Sequence, residues 1–485
     1  MLFLSVRNLF ISGLFLLAAT GCEKKTAVTP TPPPPVVQPP AAPSQVAAWV
    51  TNANRSALFE RQRLPLNFAA PAANNQNTTI TLDTTQRYQA IDGFGYSLTQ
   101  GSALALKRMS AAARTKLLRE LFGTDSTYIG VSYLRLTIGA SDLSSSLYTY
   151  AQTPGDVNMT SFSLAPDQAE VIPMLKEILL VNPAIKIMGS PWTAPVWMKD
   201  NSSYVGGSLQ PQYYAAYARY FVKYVQEMAA QGIRIDAITP QNEPLYGGNN
   251  PSMVMTGTQQ ATFIRDHLGP AFAAAGITTK IVAYDHNPDA AGLAYVNTVL
   301  SDPGASAYID GAAFHLYGGS IESLSQIHNN FPAKNIYFTE QWTDANARFE
   351  NVFPNDVRQL VIGSTRNWSR NVLQWNLAAD PQQLPHTQGG CDRCLGAVTI
   401  GGDVVTRNPA YYVIAHASKL VRPGSVRIET NLPGSLPNVA FQRPDGKKVL
   451  IVLNTNATAQ TFNIGYRGKV VSPLLYGNSV GTYIW

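Results

Sequence analysis

Charged residues are scarce in this chain of 485 residues, at 14% of the total, and they include no long run of lysine and arginine. The net charge of +6 is spread thinly over the sequence. A protein that follows a phosphate backbone needs a dense basic patch, so nucleic acid is not expected as a partner. The hydrophobic fraction of 45% is enough to bury a large core in two or more domains.

Cysteine is almost absent, with three residues in the whole chain. Cys391 and Cys394 form a CxxC pair, a spacing found in redox pairs and in halves of zinc sites. The sequence has no second CxxC, no paired histidine nearby and no strand-to-helix context of a thioredoxin, so neither chemistry is expected. Outside the cytoplasm such a pair is predicted to form a disulfide that pins a loop. No metal and no cofactor are expected.

The apolar stretch at the N-terminus is too short to span a bilayer. Arg7 precedes it, Leu9–Ala19 forms it, and the small residues that follow end on Cys22. This order resembles the signal of a bacterial lipoprotein, in which the cysteine becomes the lipidated first residue of the mature protein. Ordinary secretion and no export are the alternatives. We expect an exported bacterial protein, held on a membrane by a lipid at Cys22 or secreted.

A proline-rich segment follows the signal, with eight prolines in the eighteen residues of Thr26–Pro43. Such a segment cannot pack and should extend as polyproline II over roughly 55 Å. It is predicted to be a tether. The predicted organisation is a signal peptide at 1–22, a linker at 23–44, an N-terminal segment at 45–90, a barrel at 91–410 and a β-sandwich at 411–485.

Apolar strand-like runs alternate with amphipathic stretches between about residues 90 and 400. Eight strands with intervening helices predict a (β/α)8 TIM barrel. The runs are Ala90–Ser97, Val131–Gly139, Ile185–Ser190, Ile235–Pro240, Lys280–Tyr284, Gly311–Leu316, Ile336–Thr339 and Asn371–Trp375. Apolar residues three and four apart predict helices in stretches such as Ala103–Phe122, Pro166–Leu180, Pro211–Gln231 and Thr258–Ala275.

The C-terminal part changes from this alternation to short extended runs, which predict an antiparallel β-sandwich. Thr78–Leu82 also reads as a strand, although it precedes the barrel, and we expect it to cross over and join the sandwich. After a helix at Ala410–Lys419, the predicted sandwich strands are Val426–Thr430, Val439–Arg443, Lys448–Asn454, Gln460–Ile464 and Gly481–Trp485.

Two apolar runs end on a single carboxylate, Glu243 after run four and Glu340 after run seven. In a TIM barrel the residues that follow the strands meet at one end, so both glutamates are expected to face one pocket. Two carboxylic acids there suit cleavage of a glycosidic bond, one protonating the leaving oxygen and the other attacking or stabilising the sugar cation. Asp285 and His286, after run five, lie at the same end, and we assign them no role.

Five segments occur in a fixed order along the chain: Ile91–Gly95, Ser190–Lys199, Asn242–Pro244, Trp375–Leu377 and Arg422–Ser425. Together they resemble glycoside hydrolase family 30, which contains glucosylceramidases and endo-β-1,6-glucanases. The resemblance covers nearly everything from Asn77 to Trp485. It implies a TIM barrel fused to a β-sandwich, a retaining β-glycosidase mechanism and no metal.

By position, the resemblance implies that Glu243 is the acid/base, with a pKa raised by a nearby negative charge, and that Glu340 is the nucleophile. Arg135 would keep Glu340 ionised, and Asn242 would bond the sugar 2-hydroxyl. The alternatives are a purely structural Arg135 and tryptophans that belong to the core. The implied substrate-binding set is Asn242, Arg135, Asp142, Trp192, His315, Tyr317 and Trp375.

The segment Gly95–Gln100 departs from the phrase Gly-Gly-Ser-Phe-Thr-Asp found in many members, and we expect it to border the site. β-Linked glucose is the expected substrate, because Asp142 and Trp192 match glucose-gripping rather than xylan-cleaving members. An exported enzyme meets polysaccharide more readily than ceramide, so a monomeric endo-β-1,6-glucanase acting on β-glucan is expected first. A glucosylceramidase acting on a glucosyl-lipid comes second. A carbohydrate-binding protein on a decayed barrel and an inverting glycosidase are the remaining alternatives.

Overall fold

The computed structural model describes residues 45–125 and 127–485 of the chain. The predicted signal peptide, the lipidation site at Cys22 and the proline-rich linker lie outside the described residues, so these stay predictions. Within the described ranges, no helix is both long enough and apolar enough to cross a bilayer.

Eight parallel strands close into a barrel, each pairing with the next along the chain and the eighth pairing with the first through Asn371 and Gly93. The predicted TIM barrel is confirmed. The fourth strand is the shortest, because only two residues keep the pairing register there. The barrel strands are, in chain order, Gly93–Leu98, Tyr133–Thr137, Lys186–Ser190, Ala237–Ile238, Lys280–His286, Ile309–His315, Asn335–Glu340 and Ser369–Gln374.

Side chains from seven of the strands fill the barrel interior, so the barrel is a packed core rather than a pore. All are fully or almost fully buried, and the three smallest, Ala237, Val282 and Ala313, lie on three consecutive strands. The seven side chains are Tyr133, Met188, Ala237, Val282, Ala313, Tyr337 and Leu373. This rigid interior holds the strand ends in place.

The helices surround the barrel, with breaks that the sequence pattern did not predict. The stretch predicted at Ala103–Phe122 is two helices, because the Ser110 side chain accepts from the Ala113 amide and starts a new one. The α-helices are Gln100–Lys107, Ala111–Phe122, Val171–Val181, Tyr214–Ala230, Gly257–Phe263, Gly269–Ala274, Ala290–Ser301, Pro303–Ser306, Ser323–Asn330, Phe349–Asp356, Ser364–Arg366 and Pro409–Ser418. Ile264–Leu268 and Val357–Gly363 are π-helical, and Ala165–Asp167, Val196–Met198 and Pro211–Tyr213 are 3₁₀ turns.

The sandwich domain is built on a nine-stranded sheet that includes N-terminal strands. Thr79–Ala90 pairs antiparallel with Val426–Thr430, which confirms that a strand preceding the barrel joins this domain. Its other neighbour, Asn463–Tyr466, pairs parallel, a departure from the antiparallel prediction. In spatial order the strands are Glu60–Arg61, Ala47–Thr51, Ser479–Ile484, Lys448–Asn454, Asn438–Gln442, Val426–Thr430, Thr79–Ala90, Asn463–Tyr466 and Lys469–Val471.

Short strands complete the structure. Gln460–Thr461 pairs with Leu474–Leu475 in the sandwich domain. Near the barrel mouth, Thr343–Asp344 pairs with Cys394–Leu395 directly after the seventh barrel strand. Ala378–Ala379, Val398–Gly401 and Val404–Arg407 form a three-stranded sheet after the eighth strand.

Helix Pro409–Ser418 links the barrel to the sandwich through a buried histidine. The ring nitrogens of His416 lie 2.8 Å from Thr482 Oγ1 and 2.9 Å from Thr51 Oγ1. Both threonines belong to sandwich strands, while the Ser418 hydroxyl donates to the carbonyl of Ile129 on the barrel side. The helix therefore fixes the two domains against each other by hydrogen bonds in both directions.

Candidate active site

A pocket of about 320 Å³ lies at the carboxyl ends of the barrel strands. Its lining residues follow different strands, as the topology of a TIM barrel requires. Aromatic, carboxylate and amide side chains predominate, a composition suited to a polar ligand with flat faces. The lining residues are Asp142, Trp192, Glu243, Tyr246, Asn249, His286, Asn287, Tyr317, Glu340, Trp342, Trp375, Cys391 and Cys394.

Glu243 reaches the pocket from the segment after the fourth strand. Its backbone has φ of +47°, in the left-handed region that a residue with a Cβ adopts at a cost. The conformation is held by the Glu243 amide, which donates to the carbonyl of Asp285 at 3.0 Å. On the side chain, Asn249 Nδ2 donates to Oε2 at 2.8 Å. Backbone and carboxylate are both fixed, so the acid has one defined direction.

Glu340 is the last residue of the seventh strand and is 6% exposed. Arg135 Nη1 donates to Oε2 at 2.5 Å, and the Tyr317 hydroxyl donates to Oε1 at 3.0 Å. The Trp342 amide donates in turn to the Tyr317 oxygen at 3.1 Å. Each carboxylate oxygen of Glu340 therefore has its own donor, an arrangement that favours the ionised form.

The two glutamates and His315 form one cluster. A side-chain oxygen of Glu243, a side-chain oxygen of Glu340 and a ring nitrogen of His315 all lie within 4.8 Å of one another. His315 Nδ1 is 3.3 Å from Glu243 Oε1 and 3.6 Å from Glu340 Oε1. The strands thus bring together two carboxylates that are about a hundred residues apart in the sequence.

Asp285 is the buried anion beneath this cluster, and the sequence prediction assigned it no role. It has no exposed surface and accepts five hydrogen bonds: from Arg135 Nη2 at 2.8 Å, from His315 Nε2 at 3.2 Å and from the hydroxyls of Ser190 at 2.6 Å, Thr239 at 2.8 Å and Thr339 at 2.6 Å. Its position near the carboxyl end of the fifth barrel strand was the available signal. Its hydroxyl partners come from the ends of three other strands and cannot be read from local sequence.

Charge sets the protonation of this network. Burial alone would raise the pKa of Asp285, but Arg135 and His315 hold it well below its usual range. Burial would likewise lower the pKa of His315, whereas Glu340, Asp285 and Glu243 raise it to about 9. At neutral pH His315 is therefore a cation that donates from Nε2 to Asp285 and from Nδ1 toward the glutamates.

The two glutamates respond in opposite directions, contrary to the sequence expectation. Burial raises the pKa of Glu340, and the neighbouring His315 and Arg135 offset this only in part. For Glu243 the upward effect of burial is outweighed by the hydrogen bond and charge of His315, by His286 and by Asn249, so its pKa lies below the usual value. The sequence-based expectation that a nearby negative charge raises the Glu243 pKa did not take these two histidines into account.

Two tryptophans form one wall of the pocket. Trp192 and Trp375 stack with ring centroids 5.2 Å apart and planes at 28°. The Arg135 guanidinium lies 4.9 Å from the Trp192 ring and 5.9 Å from the Trp375 ring, within cation–π range. Both rings are largely buried, and both line the cavity. They therefore belong to the core at one face and to the pocket at the other.

The residues predicted to bind substrate separate into two shells. Asp142, Trp192, Tyr317 and Trp375 line the pocket. The remaining three are Arg135, Asn242 and His315, which are 0 to 3% exposed and lie behind the glutamates. Asn242 Oδ1 accepts a hydrogen bond from Arg135 Nη2 at 2.7 Å, which joins Asn242 to the network around Arg135.

Comparison with known proteins gives the family. A model of the glycosyl hydrolase family 30 TIM-barrel domain matches residues 91–421, and a model of the family 30 β-sandwich domain matches residues 424–483. The chain belongs to glycosyl hydrolase family 30. It is accordingly a glycoside hydrolase, in agreement with the sequence prediction.

Family 30 relatives align over most of the chain. An endo-1,6-β-D-glucanase of Aspergillus fumigatus is 33% identical over 444 residues, covering 85% of this chain and 88% of the relative. The lysosomal acid glucosylceramidase of Mus musculus is 30% identical over 464 residues, with 87% of each chain covered. A solved endo-β1,6-glucanase structure superposes with a TM-score of 0.85 at 36% identity, covering 91% of this chain and 99% of that one.

The segment in which this chain departs from many family 30 members does not border the pocket. Tyr96 has no exposed surface, and its hydroxyl donates to the carbonyl of Ala410 at 3.2 Å. Its side chain therefore points outward to helix Pro409–Ser418. None of residues 95–100 is among those that line the pocket. The expectation that this segment borders the site is wrong. Its side chains pack elsewhere: Tyr96 against helix Pro409–Ser418, and Thr99 against Asn376.

A disulfide joins Cys391 to Cys394 on the pocket wall of this family 30 chain. Cys394 is buried with Leu143 and the two stacked tryptophans, and Cys391 packs against them.

The cluster of two glutamates and a histidine also offers three potential metal ligands. Metal ligands must be deprotonated, whereas the pKa of His315 is raised to about 9 and Glu340 is engaged by Arg135. The cluster fits an acid–base pair better than a metal centre.

Proposed function

We propose that this protein is a retaining endo-β-1,6-glucanase that uses Glu340 as nucleophile and Glu243 as acid/base. The observation that carries the proposal is the carboxylate pair, whose nearest oxygens lie within 4.8 Å at one end of the barrel. Inverting enzymes hold their carboxyl groups roughly 6.5–9.5 Å apart to admit a water, and retaining enzymes about 5–5.5 Å apart. The short separation supports double displacement.

In the first step, Glu340 attacks the anomeric carbon while Glu243 gives its proton to the departing glycosidic oxygen. The carbon–oxygen bond breaks, and a glucosyl ester forms on Glu340. In the second step, Glu243, now ionised, takes a proton from water, whose oxygen attacks the same carbon and releases Glu340. Two inversions leave the product with the β configuration.

The surrounding residues have matching tasks. Arg135 and Tyr317 donate to Glu340 and oppose the rise in its pKa that burial causes, while Asp285 balances the buried guanidinium. Asn242 turns its oxygen to Arg135, so its amide nitrogen is the donor for the sugar 2-hydroxyl. Asp142 and Trp192 bind the outer hydroxyls, and Trp375 supports the ring face.

Two kinds of relative bear on the substrate. The endo-1,6-β-D-glucanases of Aspergillus fumigatus, Trichoderma harzianum and Neurospora crassa are 33%, 34% and 33% identical to this chain. The mouse glucosylceramidase, at 30%, supports hydrolysis of a glucosyl-lipid as the second candidate. Both candidates share the two-glutamate chemistry and differ at the leaving-group side of the pocket.

The location that suits a β-glucanase is outside the cytoplasm. The signal-like sequence that ends on Cys22 and the proline-rich tether support an exported protein anchored by lipid. Incorporation of labelled palmitate into the wild-type chain, and its loss in Cys22→Ala, is the expected result. Equal labelling of both would contradict the anchor.

The deciding experiment is a product assay on the full-length protein in a detergent without a sugar headgroup. Linear β-1,6-glucan and glucosylceramide are offered separately, with Glu243→Gln and Glu340→Gln as controls. We expect the wild-type protein to release short oligosaccharides whose new reducing ends are first formed as the β anomer. Neither variant should form these products. Glucose from the lipid alone would identify a glucosylceramidase, and α-anomeric product would rule out retention. No turnover of either substrate would contradict the proposal.

A further inference from the structure

The Cys391–Cys394 disulfide lies among the residues that line the pocket, together with Asp142 and both glutamates. Cys394 is buried against Trp192 and Trp375, while Cys391 is half-buried. The disulfide therefore lies directly beside the residues proposed to bind the sugar. This position in the pocket wall is consistent with a role in sugar binding as well as in loop stability.

The segment that contains the disulfide, residues 387–395, is here called the cysteine loop. On one side it holds Asp142: the Thr387 amide donates to the Asp142 carbonyl at 2.8 Å. Gly390 packs so closely that an added Cβ would lie 2.5 Å from the Asp142 carbonyl oxygen. The loop thus fixes the backbone of Asp142.

The same loop reaches the segments that carry the two glutamates. The Thr387 hydroxyl donates to the Asn250 carbonyl at 2.5 Å, next to Asn249, which holds Glu243. Cys394 pairs with Asp344, four residues after Glu340, and the Ala345 amide donates to the Arg393 carbonyl at 2.9 Å.

Between these anchors, Cys391 and the adjoining Gly390 depend on the cross-link for their position. Asp392 and Arg393, the two residues inside the ring, are exposed. Cys394 is fixed by its strand pairing and by the tryptophans, and the disulfide transmits this position to Cys391. Breaking the bond would allow Gly390 and Cys391 to move away from Asp142.

We propose that the Cys391–Cys394 disulfide is a positioning element of the sugar pocket, which holds Gly390 and Cys391 against Asp142 and so sets the affinity for the sugar. This inference rests on the proposed function, in which Asp142 binds the outer hydroxyls. The disulfide does not touch the reacting atoms. Its loss therefore weakens binding more than it slows bond cleavage.

The first test compares wild type with the Cys391→Ser/Cys394→Ser variant on β-1,6-glucan. KM is expected to rise about tenfold, as when a binding side chain must be immobilised only on binding, with kcat within about twofold. A dithiol reductant gives two electrons and two protons to the disulfide, forming two thiols and its own cyclic disulfide. It should reproduce the rise in wild type and change nothing in the variant. Asp392→Ala, which keeps the disulfide, is the matched control and should keep the wild-type KM.

A double-mutant cycle separates positioning from general loosening. If the disulfide acts through Asp142, removing it in an Asp142→Ala background should raise KM less than about twofold further. Equal rises in both backgrounds, or a fall in kcat with unchanged KM, would overturn the inference.

A third readout does not need turnover. In the Glu340→Gln protein, bound β-1,6-glucan should cover Cys391 and slow the reduction of the disulfide by a water-soluble dithiol. The extent of reduction is measured by attaching a mass tag to the thiols that form. Calorimetric titration of glucan into Glu340→Gln, with and without the disulfide, measures the affinity directly. If wild type cleaves no β-glucoside but these two measurements behave as expected, the proposed hydrolysis fails and the positioning role stands. Equal affinity with and without the disulfide overturns the positioning role alone.

Discussion

The guanidinium of Arg135 donates to Asp285 at 2.8 Å, and neither side chain has any exposed surface. Arg135 also donates to Glu340. The buried ion pair therefore connects the base of the site to one of its two carboxylates. A charge that is buried in this way is stable only while its partner is present.

Asp285→Asn should destabilise the fold and impair the site together. It leaves Arg135 and His315 without their shared anion, and loss of one partner of a buried pair costs about 3–5 kcal/mol. Urea unfolding measures the loss, and kcat on β-1,6-glucan should fall in parallel. Asp266→Asn, which removes an exposed ion pair with Arg265, is the control and should leave the unfolding midpoint unchanged. Equal effects of the two substitutions would contradict the role given to Asp285.

Asn249→Ala should move the alkaline limb of the pH–rate profile upward. Asn249 donates to Glu243 and helps to lower the pKa of that carboxyl group. Without the donor the pKa of Glu243 rises, so the protonated acid persists to higher pH. Asn249→Asp adds a negative charge at the same place and should move the limb further. The limb is read from kcat/KM against pH, and an unshifted limb in both variants would show that Glu243 is not the acid.

Tyr317→Phe should move the acid limb upward. The Tyr317 hydroxyl donates to Glu340 at 3.0 Å and favours its ionised form. With the hydroxyl removed, the pKa of Glu340 rises, and a larger share of the nucleophile is protonated at low pH. We expect kcat/KM at pH 5 to fall about tenfold, which corresponds to about 1.4 kcal/mol of lost interaction with a charged group. Tyr246→Phe, at an exposed lining position, is the matched control, and a similar loss there would count against the role of Tyr317.

His416 should make the contact between the barrel and the sandwich sensitive to acid. Burial lowers its pKa from 6.5 to about 3. Between pH 6.5 and about 3, His416 is therefore protonated in the unfolded chain but neutral in the folded chain. The free energy of unfolding has its full value above pH 6.5 and decreases as the pH falls through this window. The loss is about 1.4 kcal/mol per pH unit in that window. In His416→Gln the unfolding free energy should fall less steeply from pH 6.5 to 4, and parallel curves for both proteins would contradict this.

Much of the fold was predictable because the relevant signals are local. Apolar runs of strand length between amphipathic stretches indicated the barrel, and the runs that end on Glu243 and Glu340 indicated which strand ends carry the acids. Thr78–Leu82 had strand character with no place in the barrel, and the structure pairs that region with Val426–Thr430. Helix breaks such as the one at Ser110 were missed, because a single capping side chain decides them.

The amino-acid sequence by itself determined the barrel strands, their order and the position of two glutamates, one after the fourth strand and one at the end of the seventh. Only the tertiary structure decided what surrounds those glutamates. Asp285 becomes the central anion because hydroxyls from the ends of three other strands converge on it, and His315 comes to lie against both acids and reverses the expected direction of the Glu243 pKa. Contacts between strand ends depend on barrel closure and register, and no local pattern along the chain encodes the resulting electrostatic field.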